Sequence, residues 1–277
     1  MLDLSEYYLV EDHDLPPSAS DASVNIVFKG GGSLTISYLG VIEALLERDI
    51  PVRHVMGTSA GAMFGFYLAT KVPLSQLKKM LFAEPGPLGA FKDILDYIDP
   101  EVRKQQFDAN IKKIVEKAKG NSHLTNSIHI SVWTLFSLLK GLYWVGADEA
   151  DIMAEALING QVCKGDALIA QFTTILKYQG ADPNLTFKDF EGYFGIDLQV
   201  VASDLTSHEL RLLNAHSSPD LPVAIGVAMS ACFPIMFPAI KWKKEWGLYN
   251  QSVDMTGHIM SDGGLVSNFP IRHFVSN

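Results

Sequence analysis

The sequence predicts an α/β fold with a mostly parallel central sheet, and three observations lead there. The chain opens as an apolar stretch, a glycine loop, a helical stretch, a second apolar stretch, a tight turn and another helix. The strand candidates are apolar along their length rather than at alternate positions, as strands covered on both faces are. The AVILMFWYC residues are 48% of the 277 and charged residues 19%, ample for a core and no basis for disorder. Alternation of this kind joins neighbouring strands in parallel through right-handed crossovers.

Residues 1–22 are polar and acidic, contain Pro16-Pro17-Ser18, and read as a loosely held arm ahead of a domain spanning 23–277. Val24-Asn25-Ile26-Val27-Phe28 is the first strand, apolar enough for burial on both faces. It runs through Lys29-Gly30-Gly31-Gly32-Ser33 into a helix over 34–48, where Ile36, Leu39, Val41, Ile42, Leu45 and Leu46 recur at helical spacing. A second strand covers 51–56 and a helix 60–69. Residues 73–195 form a largely helical part, punctuated by Pro73, Pro85 and Pro87. Within it, Ile128 to Val145 is a long apolar run whose Lys140 and stripe of Ser131, Thr134, Ser137 and Gly141 favour a packed helix over a membrane span. The aromatic residues of that run also make it the candidate for transient contact with a membrane surface. A helix over 166–178, a strand over 197–202 with a hairpin partner over 209–213, and a helix over 221–232 stopped by Pro234 complete the pattern.

The net charge of −9 argues against a nucleic-acid partner, which needs a basic stripe. Cys163 and Cys232 are too few for a disulfide framework and lack neighbours at metal-ligand spacing, so both read as core and no metal site is expected. No cofactor is expected either. Gly30-x-Gly32-x-x-Thr35 misses the third glycine of a dinucleotide fingerprint, and no Gly-Lys-Ser/Thr follows. The first residues carry no basic segment leading into an apolar run, which points to the cytoplasm or to export without a signal peptide.

Gly57-Thr58-Ser59-Ala60-Gly61, between a strand and a helix, carries the chemistry. Gly-x-Ser-x-Gly alone is a frequent accident; here the flanking strand and helix make it a nucleophile elbow, with Ser59 raised on a sharp turn and Gly57 and Gly61 giving it room. A serine hydroxyl needs a base and donors for the oxyanion. The Gly30-Gly31-Gly32-Ser33 loop, at a helix start and free of Cβ atoms at its glycines, can aim N–H groups at one point. His208, His216, His258 and His273 sit in no glycine-marked turn, whereas Asp262-Gly263-Gly264 holds an aspartate at a strand end among free backbone donors; Asp262 is the better base.

These pieces, with Asn268 and Pro270 behind the aspartate, resemble the patatin-like phospholipase family. Val201-Ala202-Ser203-Asp204-Leu205-Thr206-Ser207-His208-Glu209 and the segment from Ala228 to Pro238 are similar to the blocks that separate its motifs. The resemblance spans about Asn25 to Pro270. It implies a three-layer α/β/α fold and a Ser-Asp dyad without histidine that hydrolyses phospholipid or other lipid esters through an acyl-enzyme, with Ser59 as nucleophile, Asp262 as base and Gly30–Ser33 as oxyanion hole. One departure stands out: Leu34 and Thr35 occupy positions where the family has Arg or Lys and then Gly. A catalytically silent lipid- or partner-binding protein, and a thioesterase or small-ester hydrolase, are the alternatives on the same fold. The chain also ends soon after Pro270, earlier than expected for a complete hydrolase core.

Overall fold

The computed structural model describes residues 23–82, 98–99, 101–102, 105, 163–234 and 236–272. The expected arm over 1–22 and the apolar run from Ile128 to Val145 lie outside these residues. The described elements are β1 (Val24–Phe28), α1 (Tyr38–Glu47), β2 (Val52–Thr58), α2 (Ala60–Ala69), α3 (Leu74–Leu81), α4 (Asp166–Tyr178), α5 (Phe187–Phe194), β3 (Asp197–Asp204), β4 (Glu209–Leu213), α6 (Val223–Ala231), β5 (Ile240–Lys241) and β6 (Ile259–Asp262).

β1, β2 and β3 form the parallel centre of a mixed sheet. β4 lies antiparallel along one edge of β3, closing the expected hairpin. β6 pairs antiparallel with Ala202 to Asp204 of β3, and β5 lies beyond it. Val200 and Val201 pair with both β2 and β4, so those two strands occupy opposite edges of β3. The same β4 covers Ala202 to Asp204, which leaves β6 on the β2 edge. β2 therefore runs up that edge to Thr58, opposite Val201, and β6 runs down it to Asp262, opposite Ala202. The two strands meet end to end, and that meeting places the site.

Val55 to Thr58 of β2 and Val200 to Asp204 of β3 are buried without a break. Successive strand residues point to opposite faces, so helices cover the sheet centre on both sides, giving three layers. α2 is buried along its whole length, and α6 packs against β3, β6, α2 and α4. β1 departs from expectation: of its residues only Phe28 is buried, because the strand pairs with β2 alone among the described elements and is an edge. The helix expected over 34–48 starts as a 3-10 turn (Gly32–Ser37) before α1. The Thr35 hydroxyl donates to the Gly32 carbonyl at 2.6 Å and the Leu34 N–H to the Gly31 carbonyl at 3.2 Å, and such three-residue contacts tighten the winding. Cys163 and Cys232 are both buried. Among the described residues no helix is long and apolar enough to cross a membrane.

Candidate active site

Ser59 follows the last residue of β2 with φ 57° and ψ −132°, a backbone region that side chains rarely enter. Its flanking glycines are there for space. A Cβ on Gly57 would come 2.5 Å from Ala62 Cα, and one on Gly61 would come 2.4 Å from the Phe28 carbonyl oxygen. Gly61 thus lets the start of α2 press onto the end of β1, beside the glycine loop.

The Ser59 hydroxyl donates to Asp262 Oδ2 at 2.6 Å. The second carboxylate oxygen accepts the Gly264 N–H at 2.7 Å, a bond supplied by the turn that follows. The Asp262 backbone is pinned too, its carbonyl accepting from Ser203 Oγ at 2.8 Å and its N–H donating to the Cys232 carbonyl at 3.3 Å. Asp262 is 2% exposed. Burial raises its pKa above the usual carboxylate value, and the bonds from Ser59 and Gly264 only partly offset this. The neighbouring Cys232 thiol is pushed up to about 12 by its own burial and by the Asp262 charge, which removes it as a competing nucleophile.

Three contacts fix the glycine loop: Tyr38 Oη donates to the Lys29 carbonyl at 2.9 Å, the Gly30 N–H donates to the Asn268 carbonyl at 3.0 Å, and Thr35 closes onto Gly32. Gly30 is the glycine with no room for a side chain. Its Cβ would fall 2.2 Å from Asn268 Oδ1 and 3.0 Å from Ser59 Cβ. Gly32 has open space around it but a φ of +53°. The N–H groups of Gly31, Gly32 and Ala60 have no acceptor among the described residues. Ser33, next in the loop, begins the 3-10 turn with Gly32.

The histidines stand apart. His208 and His216 are exposed, and His258 Nδ1 lies 2.8 Å from Asp204 Oδ2. His273 is outside the described residues. Two contacts of the site carried no signal in the residue types: Ser230, whose hydroxyl accepts the Ser59 N–H at 3.0 Å, and the Asn268 carbonyl on Gly30. Only their place in segments similar to the family's could have drawn attention to them. Among the described residues, no cluster of His, Cys, Asp and Glu is suited to a metal ion.

The sequence profile described as Patatin-like phospholipase matches residues 26–275, nearly the whole chain. The chain belongs to the patatin-like phospholipase family. Family membership makes lipid acyl hydrolysis the relevant chemistry at the level of the family. The Bacillus subtilis protein YqhO is 26% identical over 254 residues, which cover 90% of this chain and 65% of YqhO. The Neurospora crassa lysophospholipase nte1 is 34% identical over 88 residues, 31% of this chain and 6% of that protein. This chain thus spans under two thirds of the length of these relatives. The crystal structure of VipD from Legionella pneumophila aligns with 88% of this chain and 46% of its own, at 22% identity and a TM-score of 0.47.

Proposed function

We propose that the chain is a serine-dependent lipid acyl hydrolase, of phospholipase A or lysophospholipase type, working through an acyl-enzyme on Ser59. The observation that carries this is the 2.6 Å contact between Ser59 Oγ and Asp262 Oδ2 at a strained strand-to-helix turn. Strain of this kind persists where the surrounding structure enforces it, and a silent scaffold gains nothing from it.

In this reading Asp262 Oδ2 takes the Ser59 proton as Oγ attacks the ester carbonyl carbon. Oγ–C forms, the carbonyl electron pair moves to oxygen, and the oxyanion is held by loop and helix N–H groups. Gly30 already spends its N–H on Asn268, so the donors are those of Gly31, Gly32 and Ser33, with Ala60 at the start of α2. The helix N-terminus adds its positive end at the same place. Collapse breaks the ester C–O bond, and protonated Asp262 returns its proton to the leaving alcohol oxygen. Water then attacks acyl-Ser59, again giving a proton to Asp262, and the fatty acid leaves with Ser59 restored. A carboxylate held above its ordinary pKa is a better proton acceptor for this work than a free one.

Two measurements test the reading. A fluorophosphonate probe is expected to label wild type at Ser59 and leave Ser59→Ala unlabelled. Mass spectrometry of a mixed lipid extract is expected to show free fatty acid and deacylated lipid with wild type only. Equal products from wild type and Ser59→Ala would sink the proposal, and turnover confined to thioesters or short soluble esters would replace lipid as the substrate.

A further inference from the structure

We infer that Ser230 is a positioning residue that holds the nucleophile in its reactive geometry through the Ser59 backbone; the inference rests on Ser59 being the nucleophile. Ser59 N–H donates to Ser230 Oγ at 3.0 Å, and Ser230 Oγ donates to the Val201 carbonyl at 2.5 Å. The direction of both bonds is forced. An N–H can only donate and a carbonyl can only accept, so the single hydroxyl proton goes to Val201 and a lone pair faces Ser59. Ser230 lies on α6 and is 0% exposed, so no water replaces it.

The bridge spans the junction on which the site is built. Val201 is the β3 partner of Thr58, the residue before the nucleophile, and the next β3 residue, Ala202, is the partner of Asp262. The Val201 carbonyl oxygen is also the atom against which Gly263 is packed, since a Cβ there would come within 2.1 Å of it. One hydroxyl therefore ties the Ser59 end of the dyad to the carbonyl against which the turn after Asp262 is packed. The Thr58–Ser59 peptide N–H meets Ser230, and a Cβ at Gly30 would stand 3.1 Å from its carbonyl oxygen, so the glycine loop passes close by. Without Ser230 the Ser59 N–H loses its acceptor, and the peptide is free to rotate toward another. Rotation swings Ser59 Oγ away from Asp262 Oδ2 and from the N–H groups of the glycine loop. Misplacement of about 1 Å at a reacting atom costs about 100-fold in rate.

The test uses Ser230→Ala, and Ser230→Cys as a near-isosteric variant with a weak donor and acceptor. Sites are counted by fluorophosphonate labelling of Ser59, and kcat per labelled site and KM are measured on a soluble short-chain ester beside Tm. For Ser230→Ala kcat per labelled site is expected to fall about 10- to 100-fold, with KM within about 3-fold. Ser230→Cys is expected to fall less, with Tm near wild type. Unchanged kcat per labelled site in Ser230→Ala, whatever its Tm, overturns the inference. If Ser230→Ala does not fold, unchanged kcat per labelled site in Ser230→Cys overturns it equally. Equal turnover by wild type and Ser59→Ala instead removes the parent assignment, and is recognised before either Ser230 variant is measured.

Discussion

Asp204 and Asp262 end neighbouring strands of one sheet, both buried, and their surroundings treat them in opposite ways. Asp204 is surrounded by donors: His258 Nδ1 at 2.8 Å, Ser207 Oγ at 2.7 Å, the Thr206 N–H at 3.0 Å, and Arg211 Nε and Nη2 at 3.2 and 3.1 Å. Burial pushes its pKa up, but the hydrogen bonds outweigh that and hold it at about 2. Among the described residues the Asp262 carboxylate accepts from the Ser59 hydroxyl and the Gly264 N–H alone, and there burial prevails. The difference separates a permanent charge that fastens β3 to β4 and to the approach to β6 from a carboxylate able to exchange a proton. Pairs of acids pushed apart in this way are how folds assign roles to chemically identical groups.

The largest effect that can break this comparison is on turnover. Ser59→Ala and Asp262→Asn are each expected to lower kcat/KM on the order of 10⁴-fold or more, and the double variant hardly further, because the two act as one device. Asp204→Asn is expected to leave kcat per labelled Ser59 within about 10-fold. Steady-state kinetics on one lipid ester decides: a loss in Asp204→Asn as deep as in Asp262→Asn would make both carboxylates part of the catalytic unit.

The contact between Ser59 and Asp262 is legible in the sequence because its parts announce themselves locally: a serine between glycines at a strand end, and an aspartate before two more. The hairpin that carries Asp204, α2 and α4 were equally plain, since apolar periodicity and turn residues fix them from nearby positions. What could not be read was anything decided across the sheet. That Ser230 faces the Ser59 N–H, that the Asn268 carbonyl takes the Gly30 N–H, and that a side chain at Gly30 rather than Gly32 would crowd Ser59 all follow from β2 and β6 meeting end to end on β3. No local pattern encodes that meeting. β1 differs for the same reason: its sequence is that of a covered strand, whereas among the described elements it pairs with β2 alone.

Stability reverses the order of the two aspartates. Asp204→Asn breaks a buried ionic network and leaves Arg211, 12% exposed at its side chain, without its buried partner; a cost of about 3–5 kcal/mol is expected in denaturant titration. Asp262→Asn removes a carboxylate whose charge is disfavoured by burial, and its Tm is expected to match or exceed that of wild type. A Tm drop in Asp262→Asn as large as in Asp204→Asn would mean that the Asp262 charge is structural.

The pH dependence sharpens the same contrast, and the signs differ. Asp262 has its folded pKa raised, so catalysis, which needs the ionised base, is expected to fall with decreasing pH through a midpoint above the ordinary carboxylate value of 3.8. Its share of stability moves the other way, improving as pH falls through that raised value. Asp204 has its folded pKa lowered, so its stabilisation is present above 3.8 and is lost as pH falls from there toward about 2. The rate profile and urea midpoints of wild type and both asparagine variants check this. An acid limb at or below 3.8 in kcat/KM would remove Asp262 as the base.

The smallest expected effect concerns the glycine loop, where the chain departs from its family. Leu34 is 81% exposed, whereas Thr35 beside it is 2% exposed and uses its hydroxyl to close the 3-10 turn on Gly32. The two replacements therefore differ in kind. Thr35 supplies a bond that a glycine at that place cannot make, so the loop keeps its shape without the family's residue. The apolar Leu34 side chain can make no hydrogen bond and leaves out a cation beside the N–H groups assigned to the oxyanion. Leu34→Arg is expected to change stability by less than about 0.5 kcal/mol, as exposed substitutions do. Placed two residues after Gly32 and open to water, the guanidinium is worth about 1 kcal/mol at most, so a gain of up to about 5-fold in kcat/KM is expected on anionic phospholipid and none on a neutral ester. Paired vesicle assays with the two lipids, at low and high salt, separate these outcomes. A loss of activity on both lipids at unchanged Tm would mean that Leu34 itself contacts substrate, and that the loop is built for an apolar group where the family uses a charged one.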